Sequence, residues 1–238
     1  MPKVAVVCGL GSGGIGDACA RRWSKEGYKV AMLARTESKL KALSESIPNS
    51  YPYVCDATST TQIHSTIEKI TKELGPIDAL IYNAGSGVFS RFDSVSQKDF
   101  DMALATGPKA LFAFAKALIP GMLSLGGGTI AVTGATASWR GMPETNCFAP
   151  AKFAQRALAQ SLCREFGPQG IHVFHVVIDG MVDIPRTRAM LPDAPDELFL
   201  QPDAIADTFW FLANQDPSAR SFETSLTSAD RQMNMLTI

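Results

Sequence analysis

A run of glycines directly after the first apolar segment constrains the fold more than any other feature of this chain. Residues 4–7 read Val-Ala-Val-Val, without polar alternation, which is typical of a strand buried on both faces of a parallel sheet. Five glycines follow between residues 9 and 16, and Ile15, Cys19 and Trp23 then recur at the spacing of one helix face. Glycines let backbone N–H groups approach a pyrophosphate, and a helix N-terminus favours anions. This order predicts a dinucleotide-binding unit rather than a simple glycine-rich turn.

The composition indicates one globular domain over residues 1–238. Hydrophobic residues make up 46% of the chain and charged residues 19%, which suits a protein with a large core. A net charge of −1 gives no electrostatic support for binding nucleic acid or a membrane surface. The apolar stretches read as strand-length and no signal peptide is evident, so we expect no membrane span and a cytoplasmic protein. The five scattered cysteines argue against a disulfide framework or a metal site.

Predicted strands and helices alternate along the chain, which favours a doubly wound parallel sheet with helices on both faces, a Rossmann-type α/β fold. Residues 179–201 look like a proline-broken loop, and residues 214–238 form a C-terminal segment that the pattern does not place. After the first unit, the predicted strands are Lys29–Leu33, Tyr53–Cys55, Ala79–Tyr82, Thr129–Thr133 and Ile171–Ile178, and the predicted helices are Glu37–Ile47, Ser59–Leu74, Ser96–Leu125 with an interruption at Gly107-Pro108, Phe148–Phe166 and Pro202–Leu212.

Four local motifs occur in the order and spacing of one family. The glycine turn at 9–16 opens the chain, Asp56 ends the third strand, Asn83-Ala84-Gly85 ends the fourth, and Lys152 lies four residues after Phe148. In these motifs the chain resembles the short-chain dehydrogenase/reductase family over nearly its whole length. The resemblance implies a nicotinamide cofactor, a small-molecule substrate covered by the 179–201 loop, and a homodimer or homotetramer built on the two long helices. The glycine turn has one residue more than the family pattern TGxxxGxG.

The cofactor is predicted to be NADP(H) rather than NAD(H). About 20 residues past the turn, where an acidic residue would accept hydrogen bonds from the ribose, the chain has Ala34 and Arg35. Arg35 can pair bidentately with a 2′-phosphate, although a solvated arginine at a strand end is the alternative. The resemblance places Asp56 near the adenine, although an ordinary turn residue is the alternative there. The predicted cofactor-binding residues are Gly9, Gly11, Ser12, Gly14, Ile15, Gly16, Arg35, Asp56, Ala57, Asn83, Ala84, Gly85, Lys152 and Gly180.

The catalytic residues implied by the resemblance are mostly replaced. The family uses a Tyr as general acid, with a Lys four residues later lowering its pKa from about 10, and this chain has Phe148 before Lys152. Ala135 stands where a Ser is expected and Gly107 where an Asn is expected. The hydroxyl can instead come from Thr133, Thr136 or Ser138, and a proton can be relayed by water, Thr136, Ser138 or Tyr82. Two functions stay open: an NADP(H)-dependent oxidoreductase acting on a small carbonyl, alcohol or activated unsaturated substrate, or a non-catalytic NADPH-binding sensor, scaffold or interaction protein.

Overall fold

The core of the protein is a seven-stranded, fully parallel sheet with the strand order β3-β2-β1-β4-β5-β6-β9. The computed structural model describes residues 2–11 and 13–229. The strands are β1 (Val4–Cys8), β2 (Lys29–Ala34), β3 (Ser50–Val54), β4 (Ile77–Tyr82), β5 (Gly128–Ala135), β6 (Ile171–Asp179), β7 (Met181–Val182), β8 (Phe199–Leu200) and β9 (Glu223–Thr227). The helices are α1 (Ile15–Lys25), α2 (Glu37–Ser46), α3 (Thr60–Leu74), α4 (Gln97–Leu104), a π-helical segment (Ala105–Lys109), α5 (Ala110–Ser124), α6 (Phe148–Phe166), α7 (Pro185–Met190) and α8 (Pro202–Ala213), with short 3-10 helices at Phe92–Ser94, Thr136–Ser138, Gly167–Gln169 and Asp196–Leu198.

Strands β1 and β4 are neighbours in the sheet, and the direction in which successive strands are added reverses between them. Strands β2 and β3 follow β1 on one side, whereas β5, β6 and β9 follow β4 on the other. Loops after β1 and β4 therefore diverge and leave a crevice at the carboxyl ends of the strands, where ligands bind in open α/β sheets. The predicted Rossmann-type fold is confirmed.

Two apolar layers cover the sheet, because successive strand residues point to opposite faces. Val4, Val6 and Ile130 point into the layer that holds α3, α5 and α6, and Ala5 and Val7 point into the layer that holds α1 and α8. Side chains on both faces of the central strands are thus buried, as the unbroken apolar runs predict.

The structure corrects one expectation about the C-terminal third and places part of a segment that the sequence left unassigned. The segment 179–201 is not one loop: it contains β7, α7 and β8, and β7 pairs in parallel with β8. The tail contributes β9, which pairs with β6 and forms the edge of the sheet. Both differences arise because these short strands are defined by their pairing partners rather than by an apolar run of their own.

The predicted interruption at Gly107-Pro108 is a widening of the helix rather than a break. Residues Ala105–Lys109 adopt π-helical hydrogen bonding between α4 and α5, which accommodates Pro108 without ending the helix. By length and composition alone, the resulting helix Gln97–Ser124 is apolar enough to cross a membrane, with half of its most apolar window buried in the fold. The expectation that every apolar stretch has strand length was therefore wrong here.

Candidate functional site

A cleft of about 970 Å³ lies at the carboxyl ends of β1, β2, β3 and β4, where the strand order reverses. Eleven of the predicted cofactor residues line it: Gly9, Gly11, Gly14, Ile15, Gly16, Arg35, Asp56, Ala57, Asn83, Ala84 and Gly85. Residues from the segment after β6 close one side of the cleft, including Val182, Ile184, Pro185 and Arg186. The structure thus brings these eleven predicted residues together along one cleft.

The floor of the cleft is backbone packed against backbone. A Cβ on Gly9 would lie 2.4 Å from the backbone nitrogen of Ala84, and a Cβ on Gly16 would lie 2.4 Å from the carbonyl oxygen of Gly9. The Nδ2 of Asn83 donates to that same carbonyl oxygen at 2.6 Å. These contacts seat the start of α1 directly on the end of β4, which places the N-terminus of the helix at the cleft.

Asp17 holds the glycine turn from within, a role that the sequence analysis did not assign. Its Oδ1 accepts from the backbone N–H of Gly11 at 2.9 Å, and its Oδ2 accepts from that of Gly13 at 2.8 Å. The side chain is almost completely buried. Burial raises the pKa of Asp17, and the two backbone hydrogen bonds and nearby Arg21 offset only part of that rise.

Basic side chains gather at the β2 end of the cleft. Arg35 and Lys39 are exposed, and both line the cleft together with Thr36. Lys39 lies in the first turn of α2, four residues after Arg35, so a search of the residues just past the strand end would have found it. On the neighbouring strand end, Asp56 accepts from the backbone N–H and the hydroxyl of Thr58. Chiefly the Thr58 backbone hydrogen bond, and to a lesser extent Arg35, lower the pKa of Asp56.

At the other end of the cleft, Lys152 is buried beneath Phe148. The Nζ of Lys152 donates to the carbonyl oxygen of Thr133 at 2.6 Å and lies 5.8 Å from the centre of the Phe148 ring. A Cβ built on Gly85 would lie 3.7 Å from that Nζ, so the lysine borders the part of the cleft that Gly85 lines. Burial lowers the pKa of Lys152 to about 8, which leaves the ammonium form in the majority at neutral pH.

Phe148 packs against a second aromatic ring, that of Phe89. The ring centroids lie 5.2 Å apart, and Phe89 is 51% exposed. The loop that carries Phe89 is fixed by two hydrogen bonds of Ser90, whose N–H donates to Glu144 O at 2.9 Å and whose carbonyl accepts from Asn146 Nδ2 at 3.1 Å. The phenylalanine pair therefore forms an apolar wall directly beside Lys152.

The π-helical segment brings Gly107 against α6. A Cβ on Gly107 would lie 3.3 Å from the Cβ of Ala151, so the absence of a side chain lets the two helices approach. The hydroxyl of Tyr82 donates to the carbonyl oxygen of Thr106 at 2.6 Å, and burial raises the pKa of that phenol. The hydroxyl of Tyr82 is thus fully buried and already donates a hydrogen bond to the π-helical segment.

Thr136, a predicted catalytic residue, pairs with a buried carboxyl group. Its hydroxyl donates to Oδ1 of Asp179 at 2.5 Å, and both side chains are buried. Oδ2 of Asp179 has no hydrogen-bond partner within residues 2–11 and 13–229. Thr136 follows β5 and Asp179 ends β6, so this pair lies at the same carboxyl edge of the sheet as the cleft.

Ser138, the other predicted hydroxyl, belongs to a buried polar network. Its Oγ accepts from the N–H of Ala135 at 3.2 Å and lies 3.4 Å from Nε2 of His175. Nδ1 of His175 lies 2.9 Å from Glu223, which also accepts two hydrogen bonds from Arg156. A Cβ on Gly134 would lie 2.2 Å from the imidazole ring, so glycine at that position makes room for His175. The network ties β9 to β6 and α6.

Two predicted cofactor residues do not line the cleft, and a third lies outside the described part of the chain. Lys152 borders it as described, and Gly180, with φ +156°, lies where a Cβ would come within 2.6 Å of Leu200. Ser12 lies outside the residues that the structure describes. The four predicted catalytic residues do not form one cluster. Phe148 and Lys152 are neighbours, whereas Thr136 and Ser138 belong to two separate buried hydrogen-bonded groups.

Comparisons with known proteins agree with this geometry. The family model described as short chain dehydrogenase matches residues 3–194. The chain belongs to the short-chain dehydrogenase/reductase family. It is similar to the 3-oxoacyl-(acyl-carrier-protein) reductase FabG of Escherichia coli (strain K12), with 29% identity over 231 residues that cover 93% of this chain and 94% of the relative.

Solved structures of the family have the same fold. A short-chain dehydrogenase from Rhodopseudomonas palustris superposes with a TM-score of 0.79 at 30% identity and covers 94% of this chain and 97% of its own. An alcohol dehydrogenase from the archaeon Thermococcus sibiricus, complexed with 5-hydroxy-NADP, superposes with a TM-score of 0.86 at 26% identity and covers 96% and 97%. These dehydrogenases share the overall fold of this chain, and the family consists of oxidoreductases.

The buried network makes stability depend on pH through His175. Burial lowers the pKa of His175 to about 4, although Glu223 raises it in part. In the unfolded chain the pKa of His175 is about 6.5. The stability that the buried, neutral imidazole retains is therefore complete above pH 6.5 and is lost as the pH falls towards 4. We expect a loss of about 3 kcal/mol in the free energy of unfolding from this group, measured by urea denaturation at a series of pH values.

The variant His175→Gln should flatten this pH dependence, whereas His64→Gln, on the exposed face of α3, should leave it unchanged. His172, whose pKa burial also lowers, accounts for part of the slope that persists. If the free energy of unfolding falls equally steeply in wild type and His175→Gln between pH 6.5 and 4, His175 does not cause the pH dependence.

Proposed function

We propose that the chain is an NADP(H)-dependent oxidoreductase that transfers a hydride between the cofactor and a small, flat, conjugated or aromatic carbonyl compound or alcohol. The observation that carries this proposal is the continuity of the site. One cleft runs from Arg35 and Lys39, along the glycine turn, to Gly85, and Lys152 with the two phenylalanines lies directly beyond. The names of the relatives above are those of oxidoreductases, which favours an enzyme over the scaffold alternative.

The residues present fit a nicotinamide dinucleotide. The close approach of Gly9 and Gly16 to neighbouring backbone leaves the N-terminus of α1 open to a pyrophosphate. Asp56 lies just after β3, and its Oδ1 accepts both hydrogen bonds from Thr58. Its other carboxylate oxygen, Oδ2, can accept a hydrogen bond from an adenine amino group. The Lys152 ammonium, beside Gly85, is available to the hydroxyls of the nicotinamide ribose. When bound, NADP(H) gives up or accepts the hydride with its electron pair.

The preference for NADP(H) over NAD(H) is supported by charge at the β2 end. Arg35, Thr36 and Lys39 offer a guanidinium, a hydroxyl and an ammonium to a 2′-phosphate. Position 34, where a carboxylate would select NAD(H), is Ala34. The related alcohol dehydrogenase was solved with an NADP derivative, which agrees with this choice.

Replacing Arg35 tests the preference. We expect Arg35→Ala to raise the Kd for NADPH by about 10- to 100-fold, the loss of a charge-assisted hydrogen bond, and to leave the Kd for NADH nearly unchanged. Isothermal titration calorimetry with both nucleotides measures the change. Arg164→Ala, at an exposed position of α6, is the matched control and should alter neither affinity. An equal loss for both nucleotides would contradict the assignment of Arg35 to the 2′-phosphate.

The substrate class follows from the wall beside Lys152. Phe148 and Phe89 present aromatic faces and edges where the family has a phenol, and aromatic rings prefer to pack against other rings. Lys152 places its positive charge below this wall, where it stabilises negative charge that develops on a carbonyl oxygen. A quinone or conjugated carbonyl spreads that charge over its own ring system and so depends less on a general acid.

A proton route is supplied by Thr136 and Asp179. In alcohol oxidation, the substrate O–H gives its proton to Oγ1 of Thr136, while Thr136 passes its own proton to Oδ1 of Asp179. The C–O bond becomes a carbonyl as the hydride leaves the carbon, and reduction is the same sequence reversed. The hydrogen bond of 2.5 Å already joins donor and acceptor, and Oδ2 of Asp179 has no competing partner in the described part of the chain.

We expect Asp179→Asn to lower kcat by about 10- to 100-fold, at or below the lower end of the usual contribution of general acid–base catalysis because a conjugated carbonyl depends less on a general acid, with little change in NADPH affinity. Thr136→Val should act in the same direction, and Thr136→Ser, which keeps the hydroxyl, should retain most of the activity. Turnover is measured with the best substrate found in a panel of quinones and conjugated carbonyls. Full activity of Thr136→Val would exclude this proton route.

The variant Phe148→Tyr separates a specialised enzyme from a vestigial site. If Phe148 forms the substrate wall, the added hydroxyl impairs quinone reduction and allows weak reduction of simple ketones, because it places a phenol beside Lys152. Phe148→Leu, which removes the ring but stays apolar, should impair quinone reduction without producing ketone reduction. Unchanged turnover in both variants would argue that Phe148 has no part in binding the substrate.

A homodimer or homotetramer stays a prediction. Phe112 on α5 and Phe153 on α6 are 54% and 42% exposed and lie on the two long helices through which assembly is expected. The cytoplasmic location is likewise still a prediction.

A further inference from the structure

The glycine turn donates two of its N–H groups to a carboxylate of the chain itself. Oδ1 and Oδ2 of Asp17 each accept one backbone hydrogen bond, from Gly11 and from Gly13. The side chain is 3% exposed, so its charge is held inside the turn rather than in solvent. The amide groups that a glycine-rich turn offers to a pyrophosphate are thus partly occupied before any ligand arrives.

The same contact stabilises the turn when no cofactor is bound. This turn has one residue more than the family pattern, and each added peptide group brings a further N–H that needs an acceptor. Asp17 also lies in the first turn of α1, where a negative charge interacts favourably with the helix dipole. A dianionic pyrophosphate at this N-terminus would gain from the same two sources of positive potential.

A pyrophosphate and Asp17 therefore compete for one site. Like charges a few ångströms apart repel strongly where water is largely excluded. Arg21, the charged group that acts on Asp17, lies on the same helix and balances only part of its charge. Ile184, from the segment after β6, lies 3.9 Å from the position of a Cβ on Gly14, so this segment reaches the end of the turn.

We propose that Asp17 is an internal competitor of the cofactor pyrophosphate, one that lowers NADP(H) affinity by occupying the N–H groups of Gly11 and Gly13. This inference rests on the proposed NADP(H) site. A merely structural role for Asp17 makes the opposite prediction, since loss of a structural carboxylate would loosen the turn and weaken cofactor binding.

The sign of the affinity change in Asp17→Asn tests the proposal. We expect the Kd for NADPH to fall by about tenfold, because the amide is neutral and can accept only one of the two hydrogen bonds. The Kd for 2′-AMP, which carries the adenine and 2′-phosphate but no pyrophosphate, should not change. Calorimetry on the full-length chain measures both constants, with thermal unfolding of each variant recorded alongside.

The matched control is Asp78→Asn. Asp78 also accepts a backbone hydrogen bond, from Val4 N at 2.8 Å, but at the opposite end of β1. It should leave both Kd values unchanged. An unchanged or raised NADPH Kd in Asp17→Asn would overturn the proposal, and so would an equal gain for NADPH and 2′-AMP.

A measurement on the unmodified chain covers the case in which Asp17→Asn does not fold. The amide proton resonances of Gly11 and Gly13 should shift on saturation with NADPH and stay in place with 2′-AMP. Resonances that NADPH leaves unmoved would show that Asp17 keeps both hydrogen bonds and does not compete. If the native chain binds no NADPH and Asp17→Asn binds none either, the cofactor proposal itself fails, whereas equal binding by both removes only the role of Asp17.

Discussion

The contact between the turn after β1 and the end of β4 is the constraint on which the rest of the site depends. Gly9 touches the backbone of Ala84, Gly16 touches the carbonyl of Gly9, and Asn83 donates to that carbonyl. No side chain fits between these three backbone segments, so α1 must begin at the reversal of strand order. Arg35 and Asp56 are positioned relative to this junction, because each follows the carboxyl end of a strand in the same sheet.

The sequence predicted those parts of the fold whose physical cause is local. Unbroken apolar runs marked the central strands and glycines marked their ends, so the sheet and the cleft lining were recoverable from short windows. Strand β9 was not, because Glu-Thr-Ser-Leu-Thr is half-exposed at a sheet edge and becomes a strand only through pairing with β6. Lys39 could have been found from the sequence, because it lies only four residues after Arg35, in the first turn of α2.

The buried polar groups could not be predicted for a different reason. Ser138, His175 and Glu223 come from three distant parts of the sequence, and Thr136 meets Asp179 across two strands. Burying such groups is unfavourable unless each finds a partner, so their positions are set by tertiary contacts. The available signal was His175 within the largely apolar β6, together with Gly134, whose missing side chain leaves room for the ring.

The replacement of a phenol by Phe148 changes what Lys152 can do. With no hydroxyl beside it, the ammonium is held by the Thr133 carbonyl and faces the Phe148 ring, and its charge is not used to acidify a neighbour. That charge is then free to act on negative charge elsewhere in the site, at the ribose hydroxyls or at an oxygen that gains electrons. Under the proposed function, the Lys152 cation and the separate Thr136–Asp179 pair would divide between them the two tasks that a tyrosine and lysine perform together in the family. Such a division would let the site stabilise charge first and move the proton second, which is the order that suits a conjugated carbonyl.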